Sequence, residues 1–295
     1  MKIVYISRTF RKEAEETICQ ANQIIDNLQK QGFKLTLRQL YYQFVSHDLI
    51  PNKQSEYNKL GNIINKARLA GLVDWEAIED RTRNLERLAH WNSPTEIVEA
   101  CVRSFRLSRW ETQEYRIEVW IEKDALLGVI SGICEEFDVP YFSCRGYVSQ
   151  SEMWRASERF ETYRRLGQTP IIIHLGDHDP SGIDMTRDIK ERQEIFGGFK
   201  FDIRRIALNY NQVEQYNPPP NPAKMTDSRF RSYVTEFGES CWELDALEPS
   251  VMVDLIRENI IKYIDDKKWK EVERKERSYR KDLRFMADKW NEEKK

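Results

Sequence analysis

The apolar run from Pro170 to His174, centred on Ile171, Ile172 and Ile173, ends in Leu175-Gly176-Asp177-His178-Asp179-Pro180-Ser181-Gly182. A short continuous apolar run bounded by turn residues reads as a buried strand. Two carboxylates, Asp177 and Asp179, arrive where that strand stops. Pro180 and Gly182 turn the chain, and Ser181 is placed to cap a helix through Ile183 to Ile195. In an open parallel sheet, ligands sit at the carboxyl ends of the strands. Two hard oxygen donors there suit Mg²⁺, which takes a few carboxylates and keeps waters or substrate phosphates. A lone D-x-D is also how an acidic turn looks. His178, between the two aspartates, reads as a spacer, with contact to a phosphate as the alternative.

A second acidic strand end lies upstream. Ile117, Val119 and Ile121 alternate with Glu118 and Trp120, and Glu122-Lys123-Asp124 opens an amphipathic helix. The elements then alternate: strand to Ile121, helix 123–137, strand 139–143, helix 150–165, strand 170–175, helix 181–195, strand 200–208. Such alternation predicts a parallel sheet flanked by helices. Glu122, Asp177 and Asp179 would each close a strand on one edge and converge on a shared metal, Mg²⁺ or Mn²⁺. A Pro-rich loop spans 209–223, followed by Trp242 to Leu247, a helix from Pro249 to Ile264 and a Lys/Glu-rich helical tail, solvent-facing or self-associating.

The N-terminal third is patterned differently. A charged amphipathic helix covers 10–31. Thr36-Leu37-Arg38-Gln39 has the capping-box form. The helix it opens carries Leu37, Leu40, Tyr41, Phe44 and Val45 on one stripe. A third helix runs from Ser55 to Ala70 and stops at Gly71. Its polar face shows Asn58, Asn62, Asn65, Lys66 and Arg68, donors suited to phosphates and base edges, with a solvated face as the alternative. Leu72 to Ile78 is read as the strand pair of a wing, with Arg81 and Arg83 following. Three helices and a wing predict a winged helix-turn-helix. Residues 84–110 read as a helical connector broken at Asn92-Ser93-Pro94. The division is therefore 1–110, winged helix with connector; 111–265, α/β domain; 266–295, charged tail.

On the second helix Arg38 and Tyr42 are four residues apart and so neighbours. A free tyrosine has a pKa near 10, so a nucleophilic Tyr42 needs positive charge or a base; Arg38 could stabilise a phenolate and hold a phosphate. Tyr42 lies beside the core stripe, and spacing alone makes it a helix-surface aromatic.

Composition narrows the class. No run of 18 apolar residues and no signal-peptide pattern occur, so membrane and secretion are not implied. Five cysteines without C-x-x-C spacing fit reduced thiols in a cytoplasmic protein, which DNA binding would make nucleoid-associated. Net charge is −2, yet residues 1–110 hold 17 Lys/Arg against 13 Asp/Glu, net +4, a modest basic face for double-stranded DNA.

The Glu-Lys after one strand and the D-x-D-P-x-G after a later one resemble the Toprim domain, most closely that of topoisomerase VI A subunits and the related meiotic double-strand-break protein. In that family a winged helix precedes the Toprim domain and carries an Arg followed four residues later by the catalytic Tyr; here Arg38-Gln39-Leu40-Tyr41-Tyr42 matches. The resemblance spans roughly 35–265 and takes in a Gly-containing turn at Arg145-Gly146-Tyr147 and a Glu-x-x-Ala-Leu stretch within Trp242 to Leu247. The size resembles the small "mini-A" relatives. The resemblance implies DNA cleavage by Tyr42 with Arg38 and Glu122, Mg²⁺ on Glu122, Asp177 and Asp179, and a homodimer in which one subunit's Tyr meets the other's metal site. An ATPase would come from a separate subunit. Two other functions stay open: a hydrolytic Toprim nuclease, and a non-catalytic DNA-binding protein.

Overall fold

The structure is a computed structural model and describes residues 1–79 and 88–292. Three helices, α1 (Lys12–Lys30), α2 (Leu37–Ser46) and α3 (Gln54–Leu69), pack around Ile25, Leu28, Leu40, Phe44, Leu60 and Ile64. The capping box at α2 is formed. Thr36 Oγ1 accepts from the Gln39 amide at 3.3 Å, and Gln39 Oε1 accepts from the Thr36 amide at 2.8 Å.

The segment after α3 departs from the expected wing. Leu72 to Ile78 forms no strand pair; it makes a short 3-10 turn, Trp75–Ala77, capped by the Asp74 carboxylate. Only Ile78 bridges, to Leu35, while Val4 bridges to Ala70. The reason is local: Arg68 donates to the Trp75 and Ile78 carbonyls at 2.7 and 3.2 Å and stacks on the Trp75 ring, fixing a compact turn. Arg81 and Arg83 lie outside the described residues. The Asn92-Ser93-Pro94 break is a helix start: Ser93 Oγ accepts from the Glu96 amide, and α4 runs Pro94–Ser104.

The alternating part folds as its pattern dictates. A four-stranded, all-parallel sheet forms from β1 (Tyr115–Ile121), β2 (Tyr141–Ser143), β3 (Thr169–Leu175) and β4 (Asp202–Ala207) in the order β2-β1-β3-β4. Its crossovers are α5 (Leu127–Glu136), α6 (Gln150–Arg165) and α7 (Pro180–Gly197). One face buries Ile117, Val119, Ile121, Ile171 and Ile173 beneath α5 and a later helix, α10 (Pro249–Ile261). The other buries Trp120, Phe160 and Ile172 beneath α6 and α7. Between β4 and α10 lie α8 (Tyr210–Tyr216), the short antiparallel pair β5 (Asn221–Pro222) and β6 (Ser240–Cys241), and α9 (Phe230–Phe237).

The charged tail is helical, α11 (Asp266–Glu292), but it is not wholly solvent-facing. Trp269 packs edge-on against Trp110 at 5.6 Å, the Glu276 carboxylate accepts from the Leu107 amide at 2.9 Å, and Arg280 donates to the Phe105 carbonyl. The tail thus docks on the connector, because each turn of its polar sequence carries an apolar or ion-pairing residue on that side. Among the described residues no helix is long and apolar enough to cross a membrane.

Candidate active site

β1 and β3 are neighbours with Ile121 opposite Leu175, so Glu122 and Asp177 leave the sheet at the same edge. They touch at once: the Asp177 amide donates to Glu122 Oε2 at 2.8 Å. Gly176 sits closely between them: a Cβ there would lie 3.0 Å from that oxygen and 3.2 Å from an Arg205 nitrogen, so these side chains would have to shift. The D-P-x-G ending also has a steric cause. Asp179, not Ser181, caps α7, accepting from the Gly182 amide at 2.6 Å, with Pro180 at the first helical position. Ser181 instead donates to Asp179 Oδ1 at 3.2 Å. A Cβ on Gly182 would meet the Asp177 carbonyl oxygen at 2.3 Å, so no larger residue fits.

The three expected carboxylates are gathered at one edge but do not form a ready cage. Among the described residues no group of three His, Cys, Asp or Glu side chains is placed to hold a metal ion. Asp177 has both oxygens engaged: Oδ1 accepts from the Leu244 amide at 2.8 Å, and Oδ2 is ion-paired with Lys123 Nζ at 2.9 Å. Glu122 Oε1 and Asp179 Oδ2 have no hydrogen-bond donor among the described residues.

Sequence reasoning missed what surrounds them. The segment after β6 brings Glu243 and the fully covered Asp245 side chain against Lys123. Lys123 Nζ bonds Glu243 Oε2, and lies 3.1 Å from Asp245 Oδ2. Arg38 reaches the same two oxygens from α2, with Nε 2.9 Å from Asp245 Oδ2 and Nη2 2.9 Å from Glu243 Oε2. Arg205, from β4, ties the loop carbonyls of Gly176, Asp177, Gly182 and Leu208 together. Three cations thus face five carboxylates. The only signal in the sequence was the Glu-x-Asp spacing of residues 243 and 245, inside the stretch noted for its resemblance.

Electrostatics follows from burial and this imbalance. Desolvation raises the Glu122 pKa against the opposing pull of the Asp177 amide and Lys123. Desolvation raises that of Asp177 well above the carboxylate range, despite Lys123, with Glu122 and Glu243 adding to it. Burial alone would lower the Lys123 pKa, but Asp177, Asp245 and Glu243 raise it on balance. His178 points elsewhere: Nδ1 lies 2.8 Å from the Tyr233 hydroxyl, amid Phe237, Trp242 and Tyr210 rings. Burial, then Arg205, push its pKa down to about 4. It pins the loop as a buried spacer.

A scan against protein-family models finds no match for this chain, and a search of the curated proteins finds none either. The site must therefore be argued from its own geometry.

Tyr42 is where the structure corrects the helix-surface expectation: it is 5 % exposed, because the 243–246 segment covers the side of α2 that spacing left open. Its hydroxyl accepts from Arg38 Nη2 at 3.4 Å, and Arg38 lies over its ring. Tyr41, Tyr42, Arg38, Asp179 and Glu243 line one cavity of about 490 Å³. Burial and Glu243 raise the Tyr42 pKa, while Arg38 and Lys123 oppose them. Tyr41 is not a purely apolar stripe residue either, since its hydroxyl donates toward Asn52 Oδ1 at 3.0 Å and the Lys53 carbonyl at 3.2 Å. On α3, Asn62, Asn65 and Lys66 are exposed together, whereas Arg68 is spent on the turn that follows.

Proposed function

We propose that this chain is a metal-dependent DNA-cleaving enzyme of the topoisomerase VI A type, a three-helix N-terminal domain, without the expected strand-pair wing at 72–78, joined to a Toprim domain. The observation that carries this reading is the shared cavity: Tyr42 and Arg38 from α2 open onto the same space as Asp179 from the sheet edge. Arg38 pairs with Glu243 and Asp245 and the 243–246 segment packs on α2, which holds the tyrosine helix against the acidic sheet edge across a polar cleft.

In this mechanism Arg38 binds the scissile phosphate and stabilises the forming phenolate of Tyr42. The Tyr42 oxygen attacks phosphorus, a 5′-phosphotyrosyl bond forms as the bond to O3′ breaks, the tyrosine proton passes to water in the cleft, and O3′ takes one proton from water to leave as a hydroxyl. Mg²⁺ or Mn²⁺, when bound, would neutralise charge developing on the phosphate oxygens. The chemistry of the donors suits it, although no three of them among the described residues are placed as a cage. Glu122 and Asp179 each keep an oxygen without a donor, and an excess of two carboxylates over cations is what one divalent ion balances. Asp177 would join as a third ligand. Asn62, Asn65 and Lys66 on α3 would contact double-stranded DNA. The homodimer and a separate ATPase subunit rest on the resemblance alone, since Tyr42 shares its cavity with Asp179 of its own chain.

A hydrolytic nuclease is the second reading, and one observation favours it. Among the described residues no carboxylate or imidazole accepts from the Tyr42 hydroxyl, so no base is seated to activate it. Plasmid cleavage by Tyr42→Phe separates the two. Under transesterification the variant folds, binds DNA and does not cut; cutting that persists in a folded Tyr42→Phe protein assigns the nucleophile to water.

A further inference from the structure

We infer that the Lys123 ammonium is a resident cation that competes with a divalent metal for Asp177, and that its displacement unlatches Arg38 from Glu243 and Asp245. The inference rests on the metal-dependent reading above and concerns this chain's own route to the loaded site. The ammonium group hydrogen-bonds Glu243 and lies at ion-pair distance from Asp177 and Asp245, 2.9 and 3.1 Å away. Asp177 has no oxygen left, because the Leu244 amide takes the other. A divalent ion on Asp177 would stand within a few ångströms of Lys123 Nζ, and two cations that close in a buried site repel strongly. One of them must withdraw.

The place to which Lys123 withdraws is already present. Asp245 Oδ1 is buried without any hydrogen-bond donor, an expensive vacancy inside a protein. Asp245 Oδ2 and Glu243 Oε2 are meanwhile each shared between Lys123 and Arg38. A Lys123 released from Asp177 takes a larger part of both carboxylates. Arg38 then loses its hold there and is free for Tyr42 and a phosphate. In the metal-free chain the tyrosine helix is therefore latched to the sheet edge by the lysine that fills in for the metal. Because coupling is reciprocal, whatever loosens Lys123 tightens metal binding.

The test is Mn²⁺ binding, read by electron paramagnetic resonance of the free ion, to full-length wild type, Lys123→Met, Lys123→Arg and Lys123→Met/Asp177→Asn. Removing an opposing charge at this range shifts equilibria by about tenfold or more. Lys123→Met should bind Mn²⁺ tighter by that factor, Lys123→Arg no tighter than wild type, and the double variant should return the gain. A folded Lys123→Met protein that binds Mn²⁺ no better than wild type, or not at all, overturns the inference. Should Lys123→Met fail to fold, Lys123→Gln takes its place in the same Mn²⁺ titration: tighter binding than wild type is expected, and a folded variant that binds no better than wild type overturns the inference equally. The titration does not involve Tyr42, so loss of the transesterase reading leaves it intact, and its failure leaves the Tyr42→Phe assay intact.

Discussion

Two buried charged sites lie on the same strand, β1, and they differ in balance. At its middle, Glu118 is 2 % exposed and accepts from Arg159 Nε and Nη2 at 3.0 and 3.1 Å and from the Trp120 indole at 3.0 Å. Two carboxylates, Glu118 and Glu152, meet two guanidiniums, Arg159 and Arg155, and both Glu118 oxygens are satisfied. At the strand's end, Glu122 belongs to a cluster with more carboxylates than cations, oxygens without donors, and two groups whose pKa burial drives upward. A closed, balanced pair holds a fold together. An open, unbalanced one costs stability and is kept for what it binds.

The largest effect should fall on chemistry. Tyr42→Phe removes a hydroxyl whose one protein contact is a 3.4 Å approach from Arg38, so stability should change by less than about 1 kcal/mol. DNA cleavage should vanish. Tyr41→Phe is the informative neighbour: it gives up two hydrogen-bond acceptors and should cost about 1 kcal/mol in denaturant unfolding while cleavage survives.

Stability then separates the two sites directly. Arg159→Met strands Glu118 in the core and should cost about 3 kcal/mol. Glu122→Gln removes a desolvated charge yet keeps an acceptor for the Asp177 amide, so its melting temperature should hold or rise. Equal losses in both variants would erase the distinction between a structural pair and a binding site.

A pH-dependent effect comes from His174, wholly buried on β3 with Nδ1 2.8 Å from the Thr186 hydroxyl. Burial, then Arg205, lower its pKa from 6.5 to about 3. The unfolded chain binds this proton and the folded one does not, so its contribution is complete above pH 6.5 and is lost as pH falls toward 3. The slope is about 1.4 kcal/mol per pH unit. His174→Asn should flatten that part of the acid-denaturation profile, and an unchanged slope would place the titration elsewhere. The smallest effect belongs to α3. Lys66→Ala should lower the salt dependence of DNA binding by about one in log–log slope. Arg68→Ala should act on stability instead, through the carbonyls it holds.

Much of the fold was legible because alternation is a strong signal. The run of isoleucines in β3 and the alternating Ile117, Val119 and Ile121 marked strands whose burial left no other option. The acidic residues at both strand ends fall on one edge by the pattern alone, since parallel strands end on the same side. What escaped was set by distant segments. Tyr42 looked exposed because nothing local showed that residues 243–246 would cover α2. The wing was expected from apolar residues at 72–78, where Asp74 and Trp75 favour a capped turn. Ser181 was as good a local cap as Asp179, and the choice fell to the close approach of Gly182 to the Asp177 carbonyl. Lys123, Glu243 and Asp245 were readable as charges but not as one network, since their contacts span some 120 residues.

The central claim is that the sheet edge and the tyrosine helix form one chemical site, and the fate of the cleaved DNA end tests it most directly. The protein is incubated with DNA and Mn²⁺, denatured and digested, and any DNA-linked peptide is identified by mass spectrometry. A nucleotide attached through phosphate to Tyr42, and absent from Glu122→Gln, is the predicted result. Cleaved DNA with no peptide attached, or a link at any other residue, would contradict it.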